Sequence, residues 1–257
     1  MLKILVCNDD GIDSPGIHTL ADSLKKIAEV TVVAPLKEQS GVGHGITMQI
    51  PLRVIKYNNN GSFFGYAVNG TPADCVKMGV RNIMTELPDL VVSGINRGSN
   101  TAINIIYSGT VSAAREATIM GIPAMAISVT SHEASDYAYA GKVARMLALK
   151  MIGGNLPLGT LLNVNVPDLP EEKIKGIRLT TQGKSKWDDI YEKRIDPNGK
   201  NYYWLTGNLV DTDIEFNSDQ GAVKDGFVSV SPIHFDLTDY STFENMKNWN
   251  IEKLMDE

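Results

Sequence analysis

Cysteine is scarce. Only Cys7 and Cys75 occur in 257 residues, and no CxxC or paired Cys/His spacing accompanies them, so the zinc-site signature is missing. Both sit inside apolar patterns and read as small core residues. No apolar run approaches the roughly 20 residues of a membrane span. A strand pattern starts at the third residue, which leaves no room for a signal peptide and makes the cytoplasm the expected compartment. Positive charge is also lacking: the net charge of −6 argues against duplex nucleic acid as main partner, because such proteins present a basic face. A small anionic substrate stays open, since one bound metal ion inverts the local field. Neither G-x-G-x-x-G nor GxxxxGK[ST] is found, which removes support for a dinucleotide fold fingerprint or a P-loop.

What is present is 43 % hydrophobic and 21 % charged residues, enough for a sizeable core in one large domain or a core with an appendage. Lys3 to Cys7 is a short, nearly all-apolar run, the pattern of a strand covered on both faces. A helix follows over about 16–28, with Ile17, Leu20, Leu24 and Ile27 at helical spacing, then a strand over Val30 to Ala34. Helices over 73–83, 111–120 and 135–152 alternate with strands over 90–93, 124–129 and 161–166. This alternation predicts a doubly wound, mainly parallel Rossmann-like α/β sheet. After Pro167 the composition shifts. The runs 177–181, 189–195 and 202–205, with Pro197-Asn198-Gly199 between the last two, read as hairpins. A returning core strand fits 227–230 and a terminal helix 242–255. The expected division is an α/β core over 1–170 carrying the site, and a β-rich extension over 171–257 serving assembly.

In parallel sheets, ligands sit outside the carboxyl ends of the strands. The first strand delivers Asn8-Asp9-Asp10-Gly11 there. Adjacent carboxylates repel one another unless a positive group lies between them, and hard oxygens suit Mg²⁺ or Mn²⁺. An Asp-capped turn is the plain alternative. The second strand leads into Gln39-Ser40-Gly41-Val42-Gly43-His44-Gly45, where Ser40 offers a hydroxyl and the glycines allow close backbone approach. This stretch also reads as an ordinary flexible loop. The strand from Leu90 runs into Gly94-Ile95-Asn96-Arg97-Gly98, so the Asn96 amide oxygen would arrive beside Asp9 and Asp10. Ser108-Gly109-Thr110 opens a helix, as an anion cradle or as a plain N-cap.

These residues, with Pro15-Gly16-Ile17, Val68-Asn69-Gly70-Thr71-Pro72-Ala73-Asp74-Cys75-Val76, Leu162-Asn163-Val164-Asn165-Val166-Pro167 and Asp211-Thr212-Asp213, make a chain that resembles the survival protein SurE family of metal-dependent nucleotidases from residue 1 to about 240. The resemblance implies one divalent ion per subunit held by Asp9, Asp10, Ser40 and Asn96, and a phosphate site drawing on Gly41, Asn96, Ser108, Gly109 and Thr110. It implies hydrolysis of nucleoside 5′- and 3′-monophosphates, with short polyphosphate a further substrate, in a dimer or tetramer with exchanged C-terminal segments. Ala102 and Ala117 stand where the family tends to have glycine, which bears on loop shape rather than on the ligand set.

Within that scheme Asp9 and Asp10 are the expected catalytic groups, Asp9 as proton acceptor or as nucleophile. A phosphatase of the haloacid-dehalogenase type wants D-x-D, and here the carboxylates are adjacent. A non-catalytic nucleotide sensor is the rival from another class. Trp187, Tyr191, Tyr202, Tyr203 and Trp204 look exposed on a projecting hairpin, which predicts burial against a second copy of the chain.

Overall fold

The structure, a computed structural model, describes residues 1–154, 156–210 and 215–254. Asp211-Thr212-Asp213 therefore lies outside the described residues. The first half of the chain forms β1 (Lys3–Cys7), α1 (Pro15–Leu24), β2 (Glu29–Pro35), β3 (Val54–Asn59), β4 (Ser62–Val68), α2 (Pro72–Met78), β5 (Leu90–Arg97), α3 (Asn104–Tyr107), α4 (Gly109–Ile119) and β6 (Ala124–Val129). Next come α5 (Ala138–Ile152), β7 (Thr160–Val166), β8 (Ile177–Leu179), β9 (Lys186–Ile195), β10 (Asn201–Val210), α6 (Asp219–Lys224), β11 (Val228–His234) and α7 (Tyr240–Met246).

Nine strands form one sheet in the order β3-β4-β2-β1-β5-β6-β7-β11-β8. The run from β4 to β7 is parallel throughout, while β3 and β11 pair antiparallel with their neighbours β4 and β7. Alternation along β1 explains why helices cover both faces. Ile4 and Val6 join a core built with α1 and α5, and Leu5 and Cys7 join a second core built with α2 and α4. All four are fully buried. The chain leaves β1 for β2 on one side and later returns to place β5 on the other, so the strand order reverses at β1. Crevices at such a reversal open beyond the carboxyl ends of the strands.

The doubly wound reading agrees with this sheet, and three local expectations need correction. Residues 177–181 do not form a hairpin: β8 pairs parallel with β11 at the sheet edge, and Thr180 hydrogen-bonds the hydroxyls of Ser229 and Ser231. A run this short carries no information about its partner. The true hairpin is β9–β10, paired from Lys186↔Val210 to Ile195↔Asn201 as a separate two-stranded sheet. The terminal helix is also interrupted. α7 gives way to 3-10 turns at Lys247–Trp249 and Ile251–Lys253, because Asn250 between them adopts φ +50°. Finally, β3 and β4 had no counterpart in the sequence reading. They join through Asn60 and Gly61, both at positive φ, which is the type I′ turn that Asn-Gly favours.

Candidate active site

β1 is followed at once by a turn that Asn8 holds: its buried amide donates to Gly11 O at 2.9 Å and to Ser14 Oγ at 2.8 Å. That turn presents Asp9 and Asp10 at the strand-order reversal. Asp9 is buried, and its Oδ1 accepts the hydroxyl hydrogen of Thr110, with the Thr110 backbone N–H directed at it as well. The start of α4 therefore points its positive dipole end at Asp9. Only glycine fits at 109, since a Cβ there would fall 2.7 Å from Asp9 Cβ and 2.9 Å from its Oδ2. Ser108 is the N-cap of α4, its Oγ accepting from Val111 N at 3.0 Å.

A cavity of 210 Å³ opens here. Asp9, Ser40, Gly41, Asn96 and Ser108 all line it. Ser40 donates to Glu38 Oε1 at 2.6 Å, leaving lone pairs on Oγ. Asn96 donates its amide hydrogen to Gly98 O at 2.7 Å, so its oxygen is the end a cation would use. β5 slips register against β6 between Ser93 and Asn96, a bulge that re-aims Asn96 and Arg97. Asp10 lines a neighbouring cavity of 410 Å³ together with Glu38 and Tyr137, and Arg97 lines both cavities. The Arg97 backbone N–H donates to Asp10 Oδ2 at 3.3 Å. Thr110 is fully buried behind Asp9, and neither it nor Gly109 lines the 210 Å³ cavity.

Burial pushes the Asp9 carboxyl above the usual carboxylate range, against the pull of the Thr110 and backbone hydrogen bonds. Burial, then repulsion from Asp9, pushes Asp10 up to about 7. Among the described residues no Lys or Arg forms an ion pair with either group. Two desolvated carboxylates without an ion-pair partner among the described residues, Asp10 feeling Arg97 at a distance, lie beside a hydroxyl and an amide oxygen and form a donor set that fits a hard divalent cation. No group of three or more His, Cys, Asp and Glu gathers among the described residues, so softer nitrogen and sulfur sites have no rival cluster.

The loops around the cavity are tied down. Gln39 N donates to Asp9 O at 2.8 Å and Gly43 N to Tyr107 O at 3.0 Å. His44 Nε2 lies 2.8 Å from Oε2 of the buried Glu116, which Lys77 also contacts. Asn163 and Asn165 on β7 explain their own motif: both donate to Asn100 O, at 2.8 and 3.1 Å, while Asn165 Oδ1 accepts from Asn100 N at 2.9 Å. This buried polar clamp fixes the segment after Arg97. Arg97, His132, Asn104 and Tyr107, which the sequence does not mark as site residues, and Trp187, expected to serve assembly, all line the cavity with Asp9. They come from four separate segments, and Asn96-Arg97-Gly98 and Tyr107-Ser108 were the only signals near any of them. His132 packs on Gly98, where a Cβ would fall 2.5 Å from its Cε1.

Comparisons with known proteins converge on one family. The family described as Survival protein SurE matches residues 4–189. The 5′-nucleotidase SurE of Chlorobium limicola is 48 % identical, covering 97 % of this chain and 97 % of its own. That of Geotalea daltonii is also 48 % identical, covering 97 % of this chain and all of its own. Among solved structures, the SurE protein from Aquifex aeolicus matches with a TM-score of 0.83 at 42 % identity, over 96 % of this chain and 99 % of that one. On sequence, fold and length alike, the chain belongs to the SurE survival protein family.

Proposed function

We infer that the protein is a phosphatase that hydrolyses nucleoside 5′-monophosphates, the activity in its relatives' shared name. Nucleoside 3′-monophosphates and short polyphosphate are proposed as further substrates. The observation that carries the reading is the pair Asp9 and Asp10, adjacent, desolvated and without an ion-pair partner among the described residues, at the strand-order reversal. Asp9, Asp10, Ser40 and Asn96 would hold one divalent ion per subunit, Mg²⁺ or Mn²⁺. Such an ion supplies positive charge to a phosphoryl group and acidity to water.

The chain's own residues do the rest. Thr110 fixes the orientation of Asp9 by occupying Oδ1. With its other oxygen Asp9 then either takes a proton from a water that displaces the nucleoside oxygen from phosphorus, or attacks phosphorus itself, after which a water cleaves the aspartyl phosphate; on either route the P–O bond to the nucleoside breaks and its oxygen leaves as a hydroxyl with a proton from solvent. A phosphoryl group next to Asp9 lies in the field of the α4 N-terminus, with Gly41, Asn96 and Ser108 around it and Gly109 and Thr110 supplying the first turn. Residues 1–170 supply the proposed ligand and catalytic groups, Trp187 adds one wall of the cavity, and 171–257 otherwise serve assembly into a dimer or tetramer, in the cytoplasm. Support for assembly comes from the hairpin, whose Tyr191, Tyr203 and Trp204 are all more than half exposed. Among the described residues no helix is long and apolar enough to cross a membrane.

Phosphate release from AMP tests the reading directly. Activity is expected with Mg²⁺ or Mn²⁺, lost in EDTA and restored by adding the ion back. Binding of AMP without phosphate release under any divalent ion would instead make the protein a nucleotide sensor.

A further inference from the structure

Arg97 ends β5 at the carboxyl edge of the sheet, one residue after Asn96. Its backbone is held there. It pairs with Val129 on β6, its own N–H donates to Asp10 Oδ2 at 3.3 Å, and the next N–H, that of Gly98, donates to Val129 O at 2.9 Å. Gly98 has φ +115° and packs against the His132 ring, so the chain turns sharply just beyond Arg97. The side chain is free by contrast. Arg97 is exposed, and among the described residues its guanidinium makes no hydrogen bond, ion pair or ring contact. No other Lys or Arg among the described residues lines the cavity that holds Asp9 or the one that holds Asp10, and Arg97 lines both. A fixed backbone thus carries one unpaired cation to the meeting point of the two cavities.

The charge around the site calls for such a group. Glu38 lies near enough to repel both Asp9 and Asp10. Ionised beside a divalent ion, these carboxylates bring three negative charges against its two. A phosphate monoester dianion placed among them still meets an excess of negative charge. We propose that the Arg97 guanidinium supplies the missing positive charge by binding phosphoryl oxygens of the substrate, which makes Arg97 a further catalytic residue. This role rests on the nucleotidase reading and adds one group to its transition state. A guanidinium is a planar fork of donors that matches two phosphoryl oxygens at once. Charge on those oxygens is what a phosphoryl-transfer site stabilises, and an arginine directed at them does so with no proton changing hands. Arg97 itself forms and breaks no covalent bond.

The test uses the full-length protein and the variants Arg97→Ala and Arg97→Lys. For each, kcat/KM for AMP and the inhibition constant of inorganic phosphate are measured at saturating Mg²⁺, and Mn²⁺ is titrated calorimetrically without substrate. Arg97→Ala is expected to lower kcat/KM at least tenfold and to weaken phosphate inhibition at least fivefold, with Mn²⁺ affinity no lower than in the wild type. Millimolar guanidinium chloride is expected to raise the activity of Arg97→Ala at least threefold and to leave the wild type unchanged. Arg97→Lys, which keeps the charge and loses the fork, is expected to fall between the two, and it decides the matter if the alanine variant melts early. Phosphate inhibition unchanged in Arg97→Ala, or tighter Mn²⁺ binding as its only effect, would overturn the role and leave Arg97 a distant neighbour of Asp10. Failure of the wild type to release phosphate from AMP would instead count against the nucleotidase reading, and calorimetric titration of inorganic phosphate into the Mg²⁺-loaded protein still judges Arg97 on its own.

Discussion

Thr110 and Asp9 stand 101 positions apart in the chain and share a buried hydrogen bond, hydroxyl to Oδ1. Ser108, not Thr110, caps the helix, and among the described residues the Thr110 hydroxyl makes no other hydrogen bond. Thr110→Ala should therefore leave α4 intact and strip Asp9 of one buried partner, a loss of about 1–3 kcal/mol in stability. The kcat for AMP should fall at least tenfold, and Thr110→Ser should recover most of it. Steady-state kinetics alongside urea unfolding check both halves. A drop in stability with kcat unchanged would reduce Thr110 to a packing role.

Removing the charge from Asp9 should separate activity from folding. Asp9→Asn is expected to lose phosphatase activity while melting at or above the wild-type temperature in EDTA, because burial already disfavours that carboxylate. Thermal melts with and without Mg²⁺ provide the readout. Wild-type protein should be stabilised by the ion and the variant hardly at all. Turnover within tenfold of wild type would remove Asp9 from the machinery.

Asp10 predicts a pH window. Its carboxyl titrates near 3.8 when unfolded and at about 7 in the folded, metal-free protein. Between those values the folded state holds more protons than the unfolded one, so this group makes stability fall as pH rises from about 4 to 7, and contributes a constant penalty above that. In EDTA, Asp10→Asn should thus be progressively more stable than wild type across the window. Denaturant midpoints at pH 4.5, 6 and 7.5 measure the difference, and an identical gap at all three would contradict the assignment.

The asparagine clamp gives a fourth expectation. Asn165→Ala removes two bonds to the Asn100 backbone in a fully buried setting, at a cost of about 2–3 kcal/mol. Since the clamp fixes the segment following Asn96 and Arg97, kcat/KM should drop even though Asn165 does not line the cavity. Differential scanning calorimetry and kinetics on the same preparation test the coupling.

Assembly is tested by sedimentation. The intact protein should sediment as a dimer or larger at micromolar concentration, and replacing residues 188–208 by a tight turn should yield monomers. A monomeric wild type would leave the hairpin aromatics to cover only this chain.

How much of this could be read beforehand depended on distance along the chain. The apolar run of β1 and the carboxylates that follow it are contiguous, so period and position sufficed to place Asp9 and Asp10 at a strand end. The Asn60-Gly61 turn is just as local, a dipeptide signal for the β3–β4 hairpin. The place of β8 is not legible locally, because three residues of Ile-Arg-Leu say nothing about their partner; the hydroxyls of Ser229 and Ser231 decide it from some 50 positions away. In sequence, Trp187 looks like Tyr191 and Trp204, one more surface aromatic. Only the β9–β10 register and the bond to Asn104 turn its indole toward Asp9 rather than outward.

Because β1 lies between β2 and β5, its second edge stays open until the chain has run as far as Leu90, the partner of Ile4. Closing so long a loop makes for slow folding, and a ribosome must synthesise that stretch before the edge can be covered. During that interval Asp9 lacks Asn96 and Thr110, so the proposed cation site is incomplete in the nascent protein. A divalent ion bound there would act on the finished fold, holding it by mass action rather than guiding its assembly.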